Sequence, residues 1–461
     1  MYNNYTALQQ RQLALQEYSN TQSTYLLVCA PARSTALKAT LTDQLHRKFR
    51  LVDRLGGELT ASVDGVLLAA EDVELMSTAL MFFAKALQDG ADYAVCNAVF
   101  GFGGATALYQ SQPLQAQNRC AVVSRTLLER CRAAAHDPEN VPELLALAAQ
   151  LCTKPALIPQ ALLHYERGIC AEDAFSAHGK RAFIMSHVLD MTGAPIVLVS
   201  AVPVLRSMGY EVLVLGPSDG GSLHLFLDAG ASVITRSSCR NVSDAWGMAL
   251  CADFVIANTV VMARAVRALS GTAVPVLWWL HDAFAGYPHI AHQIPTQLGE
   301  NVRVYSVGSH AANAMHAVRP EFEIRPLIYG LPDYAAENFV RTDLGYNRGR
   351  PLFATVGSFE RRKGHDIFCK AIRLLPPEVR EKASFLFVGQ AADKEMMDSV
   401  RALTADYPEN VYYCKRLTRD EIKSLMEQCT GLVCASRDDP MPTFVTEGLI
   451  FGKPSIVSEH T

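Results

Sequence analysis

The chain has no long apolar run: nothing in it approaches the roughly 18 residues a helix needs to cross a bilayer. Its start, MYNNYTALQQRQ, lacks the basic-then-apolar order of a secretory signal. A helical membrane span is therefore not expected, while contact with a membrane surface stays open. Excess positive charge is also missing. Lys and Arg number 42 against 46 Asp and Glu, a formal net charge of -4, and they are dispersed. That leaves no basic footprint for a phosphate backbone, so nucleic acid is not an expected partner. The 12 cysteines include no C-x-x-C pair. Several, such as Cys29, Cys96, Cys369 and Cys434, sit in apolar runs where a thiol acts as a small hydrophobe. A reducing, cytoplasmic setting is expected.

What is present is 461 residues of which 49% are apolar, enough for about three domains with sizeable cores. Residues 1–24 are polar and Gln-rich and read as a weakly structured arm. From residue 181 short β-rich runs, RAFIMSH, EVLVLGP, SVITR, FVIANT, VPVLWWLH and VRVYSVG, alternate with helical segments such as APIVLVSAVPVLRSMG. A second set begins at 351 with PLFATVG, ASFLFVG, VYYCKR, GLVCAS and PSIVS, interleaved with GHDIFCKAIRLL and RDEIKSLMEQC. Both patterns predict parallel sheets covered on two faces. The expected fold is α/β: one Rossmann-like domain over 181–335, another over 350–461, and a separate α/β module over 25–168. The small and polar stretch 169–180 reads as a linker.

The chemistry concentrates in ASRDDPMPTFVTEGLIFGKPSIVSEHT. GLVCAS predicts a buried strand, RDDPMP a loop because its prolines and aspartates resist regular structure, and TFVTEGLIF a helix with Thr443 as N-cap. That loop then lies at the carboxyl end of a strand, where open α/β sheets bind ligands, and the helix start favours an anion. Asp439 and Glu447, one turn into the helix, can face one crevice and accept sugar or ribose hydroxyls. The alternative is a capping aspartate and an exposed helix glutamate. VGSFERRKGHD places Arg361, Arg362 and Lys363 after another strand, where a cation could neutralise a diphosphate leaving group. The alternative there is a solvated basic face.

GSFERRKG, FVG and the carboxylate pair ending TEGLIFGKPSIVS resemble the retaining nucleotide-sugar glycosyltransferases of family 4, which have the GT-B fold of two Rossmann-like domains facing a cleft. SHVLDMTGAP resembles their loop near the donor sugar and phosphates, and VLWWLHD the strand whose histidine enters the cleft. The resemblance implies a sugar moved from a nucleoside diphosphate donor to a hydroxyl acceptor, a glycan or a lipid- or protein-linked group, with retention. It implies Glu447 on the ribose, Asp439 on donor sugar hydroxyls and Lys363 on the diphosphate. It also implies Gly193 where backbone N–H groups approach the donor, and His281 at the reacting centre. Thr443 joins the donor-binding set through its helix. Two departures stand out: the first carboxylate is Asp rather than Glu, and the arginine directly after the strand glycine is Ser358, for which Arg362 could compensate. No essential metal and no cofactor beyond the nucleotide sugar is implied. The other reading of His281 is a hydrogen-bonded histidine at a strand end.

TYLLVCAPARSTALKATLTDQLHRKFRLV, then DGVLLAAEDVELMSTALMFFAKALQDGADYAVCNA, resemble a shortened family 2 domain of the GT-A type. The metal-binding Asp-x-Asp reads Ala70-Glu71-Asp72 here, and the acidic pair near NVPELL is lost, while His164 and Arg167 remain. That implies a degenerate, noncatalytic module. Two other functions share the larger architecture: a nucleotide-sugar 2-epimerase and a noncatalytic sugar-binding or scaffold protein. PSIVS reads as a buried strand needing helices on both faces, so the chain is also expected to be a fragment that stops inside its donor domain.

Overall fold

The structure, a computed structural model, describes residues 23–29, 35–55, 62–70, 73–101, 106–110, 119–165, 179–218, 220–236 and 248–461. The expected arm over 1–24 and linker over 169–180 fall almost wholly outside these, as do Glu71, Asp72 and Arg167. The chain divides into two compact units, Met1–Ile256 and Ala257–Thr461. Among the described residues no helix is long and apolar enough to cross a membrane.

The first unit carries β1 (Leu26–Cys29), β2 (Phe49–Val52), β3 (Gly65–Ala69), β4 (Glu74–Leu75), β5 (Tyr93–Gly101), β6 (Thr106–Gln110), β7 (Cys120–Ser124), β8 (Pro155–Tyr165), β9 (Lys180–Met185), β10 (Tyr210–Gly216) and β11 (Ser232–Arg236). Strands β2, β1 and β3 are parallel neighbours, and β7 runs antiparallel beside β3. β9, β10 and β11 form a parallel set. β6 bridges the two sets: it pairs antiparallel with β5 on one side and with β11 on the other, Leu108 opposite Ile234. The module over 25–168 and the Rossmann-type strands that follow therefore share one sheet within this unit.

β12 (Phe254–Asn258) crosses the boundary between the units. In the second unit β13 (Val276–Leu280), β14 (Val302–Ser306) and β15 (Ile324–Pro326) are parallel. A separate five-stranded, all-parallel sheet has the order β18-β17-β16-β19-β20. It is built from β16 (Leu352–Val356), β17 (Ser384–Val388), β18 (Val411–Cys414), β19 (Gly431–Cys434) and β20 (Ser455–Val457). The α/β class with parallel sheets stands as read from the alternating runs.

The sequence of β17, SFLFV, shows why this sheet needs covering on both faces. Alternate residues of a strand point to opposite sides. Phe385 and Phe387 pack with Met396, Val400 and Leu403 on one face, and Leu386 and Val388 pack with Ile422, Leu425 and Met426 on the other. Each such side chain contributes roughly 1.5–3 kcal/mol on full burial. Helix Arg419–Gln428 starts at a capping box in which Thr418 and Glu421 satisfy each other's backbone N–H. Burial pushes the free Cys29 and Cys369 thiols up to about 12, so both pack as hydrophobes. β20 is open to solvent on its apolar residues. It pairs only with β19 at the sheet edge, leaving Ile456 68% and Val457 48% exposed.

Candidate functional site

The site is assembled at the carboxyl ends of β16 and β19. After β16 the chain forms a single 3-10 turn, Arg361–Lys363, closed by Gly364 at φ 68°. That left-handed conformation, with only 1.8 Å between a built Cβ and the Ala435 carbonyl oxygen, requires glycine. The basic turn is laced to the loop after β19. The N–H of Arg437 donates to the Arg362 carbonyl at 2.7 Å, and the Arg437 guanidinium grips Asp366 through two bonds of 2.8 and 2.7 Å. Those bonds with Arg437 hold the Asp366 carboxyl below its usual range against the opposing effect of burial.

This lacing brings Lys363 to Asp439. Lys363 Nζ donates to Asp439 Oδ2 at 2.6 Å, and the Asp439 side chain is 6% exposed. Eight residues on, Glu447 is also buried, and Arg419 donates to its Oε1 at 2.8 Å. Neither carboxylate is the alternative weighed from the sequence. Asp439 caps no helix, and Glu447 does not face solvent. Of the basic run, Lys363 is mostly enclosed and Arg362 is tied to Glu360 at 2.8 Å, while Arg361 is exposed. Burial works to raise the Glu360 carboxyl, but bonds from Ser358 and Arg362 outweigh it and leave it below its ordinary value. Ser358, standing where an arginine was expected, serves to bind Glu360.

Thr443 is not the N-cap. Pro442 takes that place at φ -69° and ψ 114°, and Thr443 is the first residue of helix Thr443–Ile450. The proline ring fixes φ while the extended ψ leads into the helix, which shifts the start by one residue. The Thr443 hydroxyl instead faces Tyr329, whose own hydroxyl donates to the Met441 carbonyl at 3.1 Å. Burial, with bonds to Thr446 and Thr443 opposing it, pushes the Tyr329 phenol up to about 12, and the charges of Asp439 and Glu447 add to the rise. Tyr329 thus stands at the start of this helix, within range of the charges of both carboxylates.

His281 follows β13 and joins the same group. Its ring stacks against Tyr329, with centroids 6.2 Å apart, and tilts against Trp279 at 4.7 Å. The next residue, Asp282, accepts the Val260 N–H, and burial pushes its carboxyl up to about 6 despite that bond. Gly193 lies in the first unit, as the opening residue of helix Gly193–Ser207. Asp190 fixes the preceding turn by accepting from the Thr192 N–H at 3.0 Å and from its hydroxyl.

Four side chains escaped the sequence reading: Tyr329, Arg419, and the pair Asp438 and His310, whose Oδ1 and Nε2 lie 2.7 Å apart. Arg419 was hidden in a strong helix-start pattern, and Asp438 beside a second aspartate. Tyr329 lies past the last expected strand of its domain, VRVYSVG, where a lone aromatic before glycine was the available signal. In the N-terminal module, β3 ends at Ala69, so Ala70 occupies the position just past the strand. Glu143, near the lost acidic pair, accepts the N–H groups of His136 and Asp137, and Asn140 caps its helix. His164 lies 2.7 Å from Glu74 on the neighbouring strand.

Two family models match in succession: Glycosyl-transferase family 4 over residues 178–321 and Glycosyl transferases group 1 over 337–461. No curated protein matches. Among solved structures, HepE of Anabaena in complex with UDP and glucose is 16% identical, with 61% of this chain and 81% of that chain covered and a TM-score of 0.48. Sucrose-phosphate synthase from Thermosynechococcus elongatus is 16% identical over 61% and 81%, with a TM-score of 0.44. WaaG, a glycosyltransferase involved in lipopolysaccharide biosynthesis, is 15% identical over 60% and 81%, with a TM-score of 0.45. Likeness this distant says nothing of donor or acceptor.

Proposed function

We propose that this chain, which is a glycosyltransferase acting with a nucleotide sugar, moves the sugar to a hydroxyl acceptor with retention of configuration, on two Rossmann-like domains of GT-B type. The observation that carries the site assignment is the pair of buried carboxylates, each held by its own cation. Lys363 stands at 2.6 Å from Asp439, and Arg419 at 2.8 Å from Glu447. Buried ions are retained at a cost unless something uses them, and oxygen acceptors beside fixed cations suit hydroxyls and phosphates together.

In this reading Glu447 holds the ribose and Asp439 the sugar hydroxyls, Lys363 and Arg362 face the diphosphate, and Thr443 presents the start of its helix. His281 stands over the reacting carbon. Gly193 lets backbone N–H groups approach the donor. Cationic side chains and helix starts neutralise the leaving group, so no essential metal or further cofactor is needed. The acceptor is a glycan or a lipid- or protein-linked hydroxyl, with contact at a membrane surface compatible with it. The module over 25–168 is a degenerate GT-A-like unit: Ala70 stands where a metal-binding carboxylate would begin, and Glu143 is engaged in local caps. Buried, unionised thiols fit a reducing, cytoplasmic location.

Calorimetry against a panel of nucleotide sugars tests the assignment. One donor should bind the wild type and lose affinity in Glu447→Ala and Lys363→Ala, and the anomer of the transferred sugar should match the donor by NMR. Unchanged affinity in both variants removes the donor site, and an epimerised donor without a glycosylated product removes transfer.

A further inference from the structure

We propose that Asp438 is a positioning residue that holds the segment following His281 against the loop carrying Asp439. The two adjacent aspartates serve different partners. Asp439 takes Lys363, while Asp438 uses both of its oxygens on residues far away in sequence. Asp438 Oδ1 accepts the Phe284 N–H at 3.1 Å, and Oδ2 accepts the Ala285 N–H at 2.8 Å. His310 Nε2 lies 2.7 Å from Oδ1, with the two side chains 17% and 14% exposed. The Phe284 ring stands edge-on to His310 at 5.2 Å.

These bonds meet the start of the 3-10 turn Phe284–His289, whose own N-cap residue, Ala283, has no side chain able to accept. The turn therefore takes its cap from the loop after β19. His281 lies three residues before Phe284, so this carboxylate ties the segment after His281 to the loop that carries Asp439. Charge-assisted bonds to backbone N–H groups in a largely enclosed place are shorter and stronger than neutral ones. A carboxylate satisfied by three donors, one of them on a separate helix, fixes direction as well as distance.

The consequence for turnover rests on the donor-site reading above, whereas the hold itself does not. Two measurements separate them. Hydrogen exchange over residues 283–290 in the ligand-free protein should speed up by about tenfold in Asp438→Ala. With the preferred nucleotide sugar, kcat should fall by about 10- to 100-fold, the size of effect a small misplacement produces, with the donor KM within about threefold. His310→Ala should show the same pattern more weakly. His310→Gln, which can still present a donor, should recover most of the loss, and a merely structural role gives no such recovery.

Exchange over 283–290 equal to the wild type in Asp438→Ala overturns the proposal, and so does faster exchange with unchanged kcat. If Asp438→Ala fails to fold, His310→Ala and His310→Gln with identical exchange overturn it in the same way. If the wild type transfers no sugar from any donor, the transfer reading has failed, and faster exchange in the variant still establishes the hold.

Discussion

Lys363 Nζ stands 2.6 Å from Asp439 Oδ2 at the carboxyl edge of the second unit's five-stranded sheet, and Asp439 is 4% exposed overall. Removing one partner of such a pair strands the other charge, which costs more than the pair itself contributes. Lys363→Ala should lower stability by about 3 kcal/mol and abolish donor binding. Lys363→Met combined with Asp439→Leu should recover most of the stability and none of the binding. Denaturant melts with calorimetry check this, and a double variant no more stable than Lys363→Ala contradicts it.

Glu447 and Lys363 should be separable by ligand. If Glu447 holds the ribose, Glu447→Ala weakens nucleoside diphosphate binding by about tenfold or more, the worth of a buried charged hydrogen bond, and leaves inorganic pyrophosphate binding unchanged. Lys363→Ala should weaken both. Titration of the two ligands into each variant gives the answer. Equal losses for pyrophosphate in both variants would place Glu447 near the diphosphate.

The strands were legible because their apolar runs are short and evenly spaced. SFLFV could be nothing but a two-faced strand, and it is buried throughout. The carboxylate spacing was legible too, since a strand, a loop with two prolines and a helix start leave few places for Asp439 and Glu447. The choice between an exposed and a buried Glu447 was not. It depends on Arg419, 28 residues earlier, reaching its oxygen. Asp438 is further from view, because its N–H donors lie 154 and 153 residues away. Such pairings have no local pattern to betray them. The start of helix Thr443–Ile450 missed by one residue for a local reason: a threonine suits the cap, but Pro442 already held the extended conformation.

Metal removal should leave turnover intact. In the proposed reading the charge that a leaving diphosphate develops is met by side chains, Lys363, which stands 2.6 Å from Asp439, and Arg362. An assay in excess EDTA should keep its rate. Loss of most turnover, restored by Mn²⁺, would move the active centre to a metal-dependent site such as the N-terminal module.

His365 should make stability depend on pH. It is 2% exposed, its ring meets Phe359 edge-on at 4.5 Å, and its Nδ1 has no hydrogen-bond partner. Burial, then the charge of Lys363, lower the imidazole from its ordinary 6.5 to about 4. In the fold the ring is neutral, while in the unfolded chain it takes up a proton below 6.5. The unfolded state thus binds more protons between those two values, and stability falls as pH drops through that window. Between pH 7 and pH 5 the loss assigned to this ring is about 2 kcal/mol. Urea unfolding of wild type and His365→Leu at both pH values isolates it. The variant should lose less stability than the wild type on acidification, and an equal loss in both excludes His365 as the cause.

Two glycines with nearly the same backbone angle should respond very differently to alanine. Gly364 has φ 68° and Gly452 φ 66°, so each substitution carries the strain of a left-handed residue, about 1 kcal/mol. Around Gly452 a Cβ would meet nothing within 4 Å, whereas at Gly364 it would lie 1.8 Å from the Ala435 carbonyl oxygen. That atom is backbone, at the end of β19, and cannot swing aside as a side chain would. Gly364→Ala must therefore push the basic turn and the loop after β19 apart, and that contact is what brings Lys363 to Asp439. We expect Gly452→Ala to cost about 1 kcal/mol with donor affinity unchanged. Gly364→Ala should cost about 3 kcal/mol or more and weaken donor binding in parallel. Melting curves with nucleotide titrations on both variants decide the matter. If Gly364→Ala is no worse than Gly452→Ala in stability and binds donor normally, the close approach at Ala435 does not set the spacing of the site.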